Sequence, residues 1–352
     1  MQDAPAAQRY LDAISVHSPV VRDLLARGRA TGVLIAPFVA ERNFKPGEVM
    51  IAQGSKPAEL MVLIDGHATA SATVETDGRM SEPETVSELG PMDVVAEVST
   101  FTGLPAIATL TAKTSVRALG FSAAELGKLS AASPATGLGL LHRFAENLAE
   151  KIVRTRHPAE AAAGALEHAG NALPLVVEGT DIIEKLRSIR AFHWADDDVT
   201  DAVANLFTVR EVVEGEVVMQ DGEVSNGLML LVSGTAMVQV DAATARGFRG
   251  GEPHPEYVLL GEAGFLLGRP RAGTITARTH CCLLELPSAR FVELAAASPH
   301  FAEMLLCGIL VAVSRKLVDT SEMRARYEAT IDGSWKDWFA GEELFIKRYG
   351  AW

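Results

Sequence analysis

One unit occurs twice along this chain. Pro46-Gly47-Glu48-Val49-Met50, running on through Gly54 to Leu60-Met61-Val62-Leu63-Ile64-Asp65-Gly66, returns as Gly215-Glu216-Val217-Val218, through Gly222 to Leu228-Met229-Leu230-Leu231-Val232-Ser233-Gly234, each matched pair 168 residues apart. Further on, Glu97, Gly103, Pro105, Thr109, Thr111 and Ala112 match Glu262, Gly268, Pro270, Thr274, Thr276 and Ala277, and Ala131-Ala132-Ser133-Pro134 matches Ala296-Ala297-Ser298-Pro299, now 165 apart. The first copy therefore carries three extra residues in the loop around Glu75 to Glu84. A repeat holding its register over such distances requires two copies of one architecture.

Within each copy, short runs of Val, Leu, Ile and Thr are punctuated by Gly, Pro, Asp and Ser, the pattern of an antiparallel sheet folded on itself. Around them, Tyr10 to Ala30, Thr136 to Arg154, Asp181 to Leu206 and Phe301 to Ala329 carry apolar residues at three- and four-residue spacing, so helices bracket each sheet. The fold class expected is mainly β with α, as two tandem double-stranded β-rolls of jelly-roll type. The boundaries read as a helical segment 1–37, a first β-roll 38–157, a linker 158–179, a second β-roll with its C-terminal helix 180–330, and a tail 331–352. In the last helix, Leu306, Val313, Thr320 and Tyr327, with Leu310, Leu317 and Arg324, space out as a heptad seam. Two readings of it stay open: packing on its own sheet, or a homodimer through 301–329.

Composition narrows the function. A net charge of −13 opposes a polyanion, so DNA is not an expected partner. Cys281, Cys282 and Cys307 lie in apolar runs without metal or disulfide spacing, and read as buried thiols. The nine histidines, among them His142, His193, His254 and His280, have no paired spacing, so neither a metal site nor an enzyme is expected. No apolar run reaches the length of a membrane span and the first residues lack a secretory pattern; the expected location is the cytoplasm.

The segment Leu260-Gly261-Glu262-Ala263-Gly264-Phe265-Leu266-Leu267-Gly268-Arg269-Pro270-Arg271-Ala272-Gly273-Thr274 carries the chemistry. It resembles the phosphate-binding cassette of the cyclic nucleotide-binding domain family: Gly-Glu, a short helical turn, then Pro-Arg-Ala ahead of a strand. The resemblance covers most of 180–320 and, more weakly, 38–155. It implies that Glu262 takes the ribose 2′-hydroxyl, that Arg271 takes the phosphate, and that the amides at Ala263 and Ala272 complete the cradle. The chemistry suits those residue types. A guanidinium matches two phosphate oxygens with planar donors, and a helix starting after a glycine turns its free N–H groups toward an anion.

The first copy keeps Glu97 but has Ala96 in place of Gly261 and Ala106 in place of Arg271, so it reads as a structural domain without nucleotide. Ala272, where guanine-preferring relatives often carry Thr, favours cyclic AMP over cyclic GMP. Arg315 to Glu322 resembles the dimer helix of the bacterial catabolite activator family, which implies that Thr320 and Ser321 meet the adenine. The residues after it, Thr330 to Trp352, are too few and not basic enough for a helix-turn-helix, so none is expected there. Instead Trp335, Trp338 and Trp352 lie in the tail with Phe339, Phe345 and Tyr349, docking either on this chain or on a partner protein. The function expected is a cyclic-nucleotide-binding regulatory or adaptor protein, like the tandem regulatory subunits of kinases. The alternative is a scaffold whose two β-rolls both lack ligand.

Overall fold

The computed structural model describes residues 6–15, 19–73, 75–76, 79–155, 204–234, 236–239 and 258–318. The chain divides into two compact units, one built on each β-roll. The first opens with helices α1 (Ala6–Ile14) and α2 (Pro19–Ala30), where the periodicity from Tyr10 to Ala30 suggested one helix. Pro19 suits a helix start, because its missing N–H and fixed φ are tolerated in a first turn.

Strands β1 (Ala40–Phe44), β2 (Val49–Ile51), β3 (Glu59–Asp65), β4 (Ala68–Ala72), β5 (Glu75–Thr76), β6 (Arg79–Met80), β7 (Glu84–Leu89) and β8 (Val94–Val95) follow. After helix α3 (Glu97–Thr102) come β9 (Thr109–Ala112), β10 (Val116–Ser122), α4 (Ala123–Ala132) and α5 (Pro134–Thr155). Two antiparallel four-stranded sheets result, ordered β1-β10-β3-β8 and β2-β9-β4-β7. Met61, Leu63, Val95, Val116 and Ala118 from one sheet meet Ile51, Ala68, Leu110 and Ala112 from the other in one apolar core. Within the stretch where this copy is longer, β5 and β6 pair antiparallel, Glu75 with Met80 and Thr76 with Arg79.

β3 is buried on both faces, so its alternation is masked and it reads as a continuous apolar run. On the face away from the core, Phe121 of β10 packs between Tyr10 and Phe144, joining α1, sheet and α5. Ser122 caps α4 by accepting from the Glu125 amide at 3.2 Å.

The second copy repeats this with β11 (Thr208–Val212), β12 (Val217–Met219), β13 (Gly227–Ser233), β14 (Ala236–Gln239), β15 (Val258–Leu260), helix α6 (Glu262–Leu267), β16 (Thr274–Ala277), β17 (Cys281–Pro287), α7 (Ser288–Ala297) and α8 (Pro299–Val318). Its sheets run β11-β17-β13-β15 and β12-β16-β14. The three cysteines are free and buried. In α8, Leu306, Leu310, Val313 and Leu317 are buried as a seam requires, but so are Leu305, Ile309, Val311 and Ala312 between them. The helix thus shows no single seam. Thr320, Ser321, Arg324, Tyr327, the linker 158–179 and the tail lie outside the described residues.

Four glycines that read as turns do a more specific job. Gly47, Gly54, Gly215 and Gly222 all have positive φ. At each, the glycine amide and the carbonyl of the next residue hold the same residue of the segment opposite: Gly47 and Glu48 on Ala112, Gly54 and Ser55 on Ala106, Gly215 and Glu216 on Ala277, Gly222 and Glu223 on Arg271. Each glycine stands in a tight turn and, with the residue after it, opposes one residue in the two-against-one pattern of a bulge with a left-handed first residue, at matching places in both copies.

The copies differ in one exchanged pair. In the first, Arg42 of β1 bonds Glu59 of β3 with two hydrogen bonds, 2.7 and 3.2 Å, and a β-carbon on Gly120 of β10 would lie 2.5 Å from that carboxylate. In the second, Arg210 pairs at 3.1 Å with Glu285, which stands at the position of Gly120, while Gly227 stands at the position of Glu59.

Candidate nucleotide site

The site begins at the end of β15. Leu260 is buried in the core of the second β-roll and anchors the strand that delivers Gly261. Gly261 is the cap of α6 in the left-handed conformation, φ +78°, and its carbonyl accepts the first helical bond from the Phe265 amide at 3.0 Å. Glu262, the first helical residue, is 2 % exposed, and Ala263 beside it is half-buried.

Arg271 approaches the same point from the opposite direction. Its backbone is clamped in the Gly222–Glu223 bulge, with Gly222 N–H on the Arg271 carbonyl at 2.9 Å and Arg271 N–H on the Glu223 carbonyl at 2.8 Å. Its side chain, in a residue only 7 % exposed, donates through Nη1 to the Gly261 carbonyl at 3.1 Å and through Nη2 to the Gly227 carbonyl at 2.8 Å. A β-carbon on Gly261 would overlap Nη1. Burial pulls the Arg271 pKa below its ordinary value, and the carboxylates of Glu223, Glu262 and Glu285 oppose that shift. A guanidinium starts so high that it stays charged here. Ala272, next in the chain, is exposed.

The arrangement thus brings Leu260, Gly261, Glu262, Ala263, Arg271 and Ala272 together from two stretches of chain. A buried cation lies beside the start of a short helix whose first residue is a buried carboxylate. More donors belong to a guanidinium than the two already on carbonyls, so an anion of phosphate shape can be gripped without first breaking both anchors. The sequence did not point to Gly227, because a backbone carbonyl leaves no side-chain signature. Phe265 of α6 meets Phe291 of α7 edge to face, centroids 5.4 Å apart, and so links this helix to the one after the sheet.

The first copy presents the same backbone with different side chains. Ala96 caps α3 in the left-handed conformation, φ +62°, its carbonyl accepts from Thr100 N–H at 2.9 Å, and Glu97 is buried at 3 % exposure. Ala106 sits in the Gly54–Ser55 bulge as Arg271 does in its own, but its methyl joins the apolar core beside Met61 and Val95.

Among the described residues no group of three His, Cys, Asp or Glu side chains is placed to hold a metal ion, and no helix is long and apolar enough to cross a membrane. No curated protein matches the chain. Solved structures that it resembles include the regulatory domain of Toxoplasma gondii PKA with cAMP, at 17 % identity over 76 % of this chain and 84 % of that one, TM-score 0.27. Another is the regulatory subunit of a cAMP-independent protein kinase A from Trypanosoma brucei, at 15 % identity over 80 % and 79 %, TM-score 0.28. A third is the N-terminal domain of a transcriptional regulator from Streptomyces coelicolor, at 24 % identity over 32 % and 76 %, TM-score 0.28. Such distant likenesses carry nothing about ligand or partner. The family comparison is stronger, since the cyclic nucleotide-binding domain matches residues 41–133 and again 209–298. Each match lies over one β-roll and together they span more than half of the chain, which makes this protein a tandem member of the cyclic nucleotide-binding domain family.

Proposed function

We propose that the second β-roll binds a cyclic nucleotide, cyclic AMP in preference to cyclic GMP, and that the chain is a non-catalytic regulatory or adaptor protein acting in the cytoplasm. The observation that supports this best is Arg271, a buried guanidinium held at the start of α6 beside the buried carboxylate Glu262. In this reading Arg271 grips the exocyclic phosphate oxygens, Glu262 accepts from the ribose 2′-hydroxyl, and the amides of Ala263 and Ala272 complete the cradle above Leu260 and Gly261. Thr320 and Ser321 reach the adenine. The first β-roll is structural, because Ala106 offers no charge to a phosphate.

Ligand occupancy then biases the position of α6, and the Phe265–Phe291 contact hands that bias to α7. The chain's output is a changed presentation of the helices after the sheet to a protein partner.

Calorimetric titration with cyclic AMP and cyclic GMP tests the reading. We expect one cyclic AMP per chain, a weaker cyclic GMP isotherm, and loss of both in Arg271→Ala with the melting transition retained. Removing one desolvated charged contact should weaken binding by about 2–5 kcal/mol. Undiminished binding in that variant overturns the assignment of Arg271 as the clamp, and no binding of either nucleotide by the wild type leaves the scaffold reading.

A further inference from the structure

The reading of Arg271 as the phosphate clamp has a neighbour it does not use. Glu223 lies opposite Arg271: its carbonyl accepts the Arg271 amide at 2.8 Å, and its carboxylate acts on the guanidinium charge, opposing the effect of burial. The Glu223 side chain is exposed, and its carboxylate accepts from the Gln220 amide at 3.3 Å. The other carboxylates near Arg271 have work elsewhere, Glu262 at the head of α6 and Glu285 on Arg210. The first copy lacks both members of the facing pair: Ser55 replaces Glu223 where Ala106 replaces Arg271. The carboxylate is present where the cation is, and absent where it is absent.

Resting on that reading of the site, we propose that Glu223 is a specificity-determining residue that biases the Arg271 cradle toward a singly charged phosphodiester and against a doubly charged phosphomonoester. A cyclic phosphate carries one negative charge. A linear 5′-mononucleotide, with its second ionisation near pH 6, carries almost two at neutral pH and offers the same base and ribose. One buried cation ringed by carboxylates balances the first and leaves the second uncompensated. Discrimination of this kind works by an unfavourable contact with the wrong ligand rather than a better one with the right ligand.

The test is Glu223→Gln, which keeps an oxygen acceptor for the Gln220 amide and removes the charge. Cyclic AMP affinity is measured by calorimetry, and 5′-AMP affinity by its displacement of cyclic AMP, at low and at raised salt. For neighbouring charges in a water-like dielectric, the substitution should tighten cyclic AMP about threefold and 5′-AMP about tenfold, so their ratio narrows about threefold. The narrowing should shrink in high salt, and at pH 5.5, where 5′-AMP approaches a single charge. An unchanged ratio with wild-type cyclic AMP binding intact overturns this proposal alone. If the wild type binds no cyclic AMP, the site assignment falls and this proposal with it.

Discussion

Gly261 and Arg271 exclude any side chain between them: Nη1 of the arginine occupies the place a β-carbon on the glycine would take, and bonds the carbonyl of that same residue. In the first copy both are alanine, and Ala96 adopts the left-handed conformation with no guanidinium to collide with.

Gly261→Ala should accordingly displace the Arg271 guanidinium and cost at least tenfold in cyclic AMP affinity, beyond the roughly 1–2 kcal/mol of left-handed strain that alanine brings. In an Arg271→Ala background only the strain remains. A double-mutant cycle of melting transitions should show a clear coupling between the two substitutions. Additive losses would mean that the overlap relaxes without consequence.

Ala96→Gly with Ala106→Arg should create a second nucleotide site, since Glu97, the bulge at Gly54 and the left-handed cap are already in place. Calorimetric stoichiometry is expected to rise from one to two cyclic AMP per chain. A folded double variant that still binds one would show that the first copy differs from the second by more than these side chains.

The ring contact between Phe265 and Phe291 is specific to the second copy, whose counterparts in the first are Thr100 and Leu126. Phe291→Leu should leave cyclic AMP affinity within about threefold, losing roughly 0.5–1.5 kcal/mol of aromatic contact. It should reduce the effect of the nucleotide on amide hydrogen exchange in Ser288–Ala297. Undiminished protection of that helix on binding would route the signal elsewhere.

Much of this was legible in the residues. The repeat pointed to two copies of one architecture, and the spacing of Gly261, Glu262 and Arg271 singled out residues that the fold brings close together. What escaped had physical causes. The glycines at 54 and 222 announce a left-handed residue, but not that Ala106 or Arg271 lies opposite, because those partners are distant in sequence. The Gly227 carbonyl is invisible for want of a side chain. The apolar periodicity runs on across Pro19, although a proline there is the signal of a new helix start. In α8 the heptad positions are apolar, but so are their neighbours, and a helix buried on every side gives a seam no contrast.

The exchanged glutamate and glycine bear on how a chain with two similar halves avoids mixing them. Tandem homologous domains risk misassembly, in which a strand of one completes the sheet of the other. If β3 paired with β17 instead of β10, Glu285 would fall where Gly120 now leaves room for the Glu59 carboxylate, and two acidic side chains would contend for one space. If β13 paired with β10, Gly227 and Gly120 would leave the arginine of the first strand without an acid at either position. Only the parental pairings supply one glutamate and one glycine, so the pair works as a lock that each half's own strand fits.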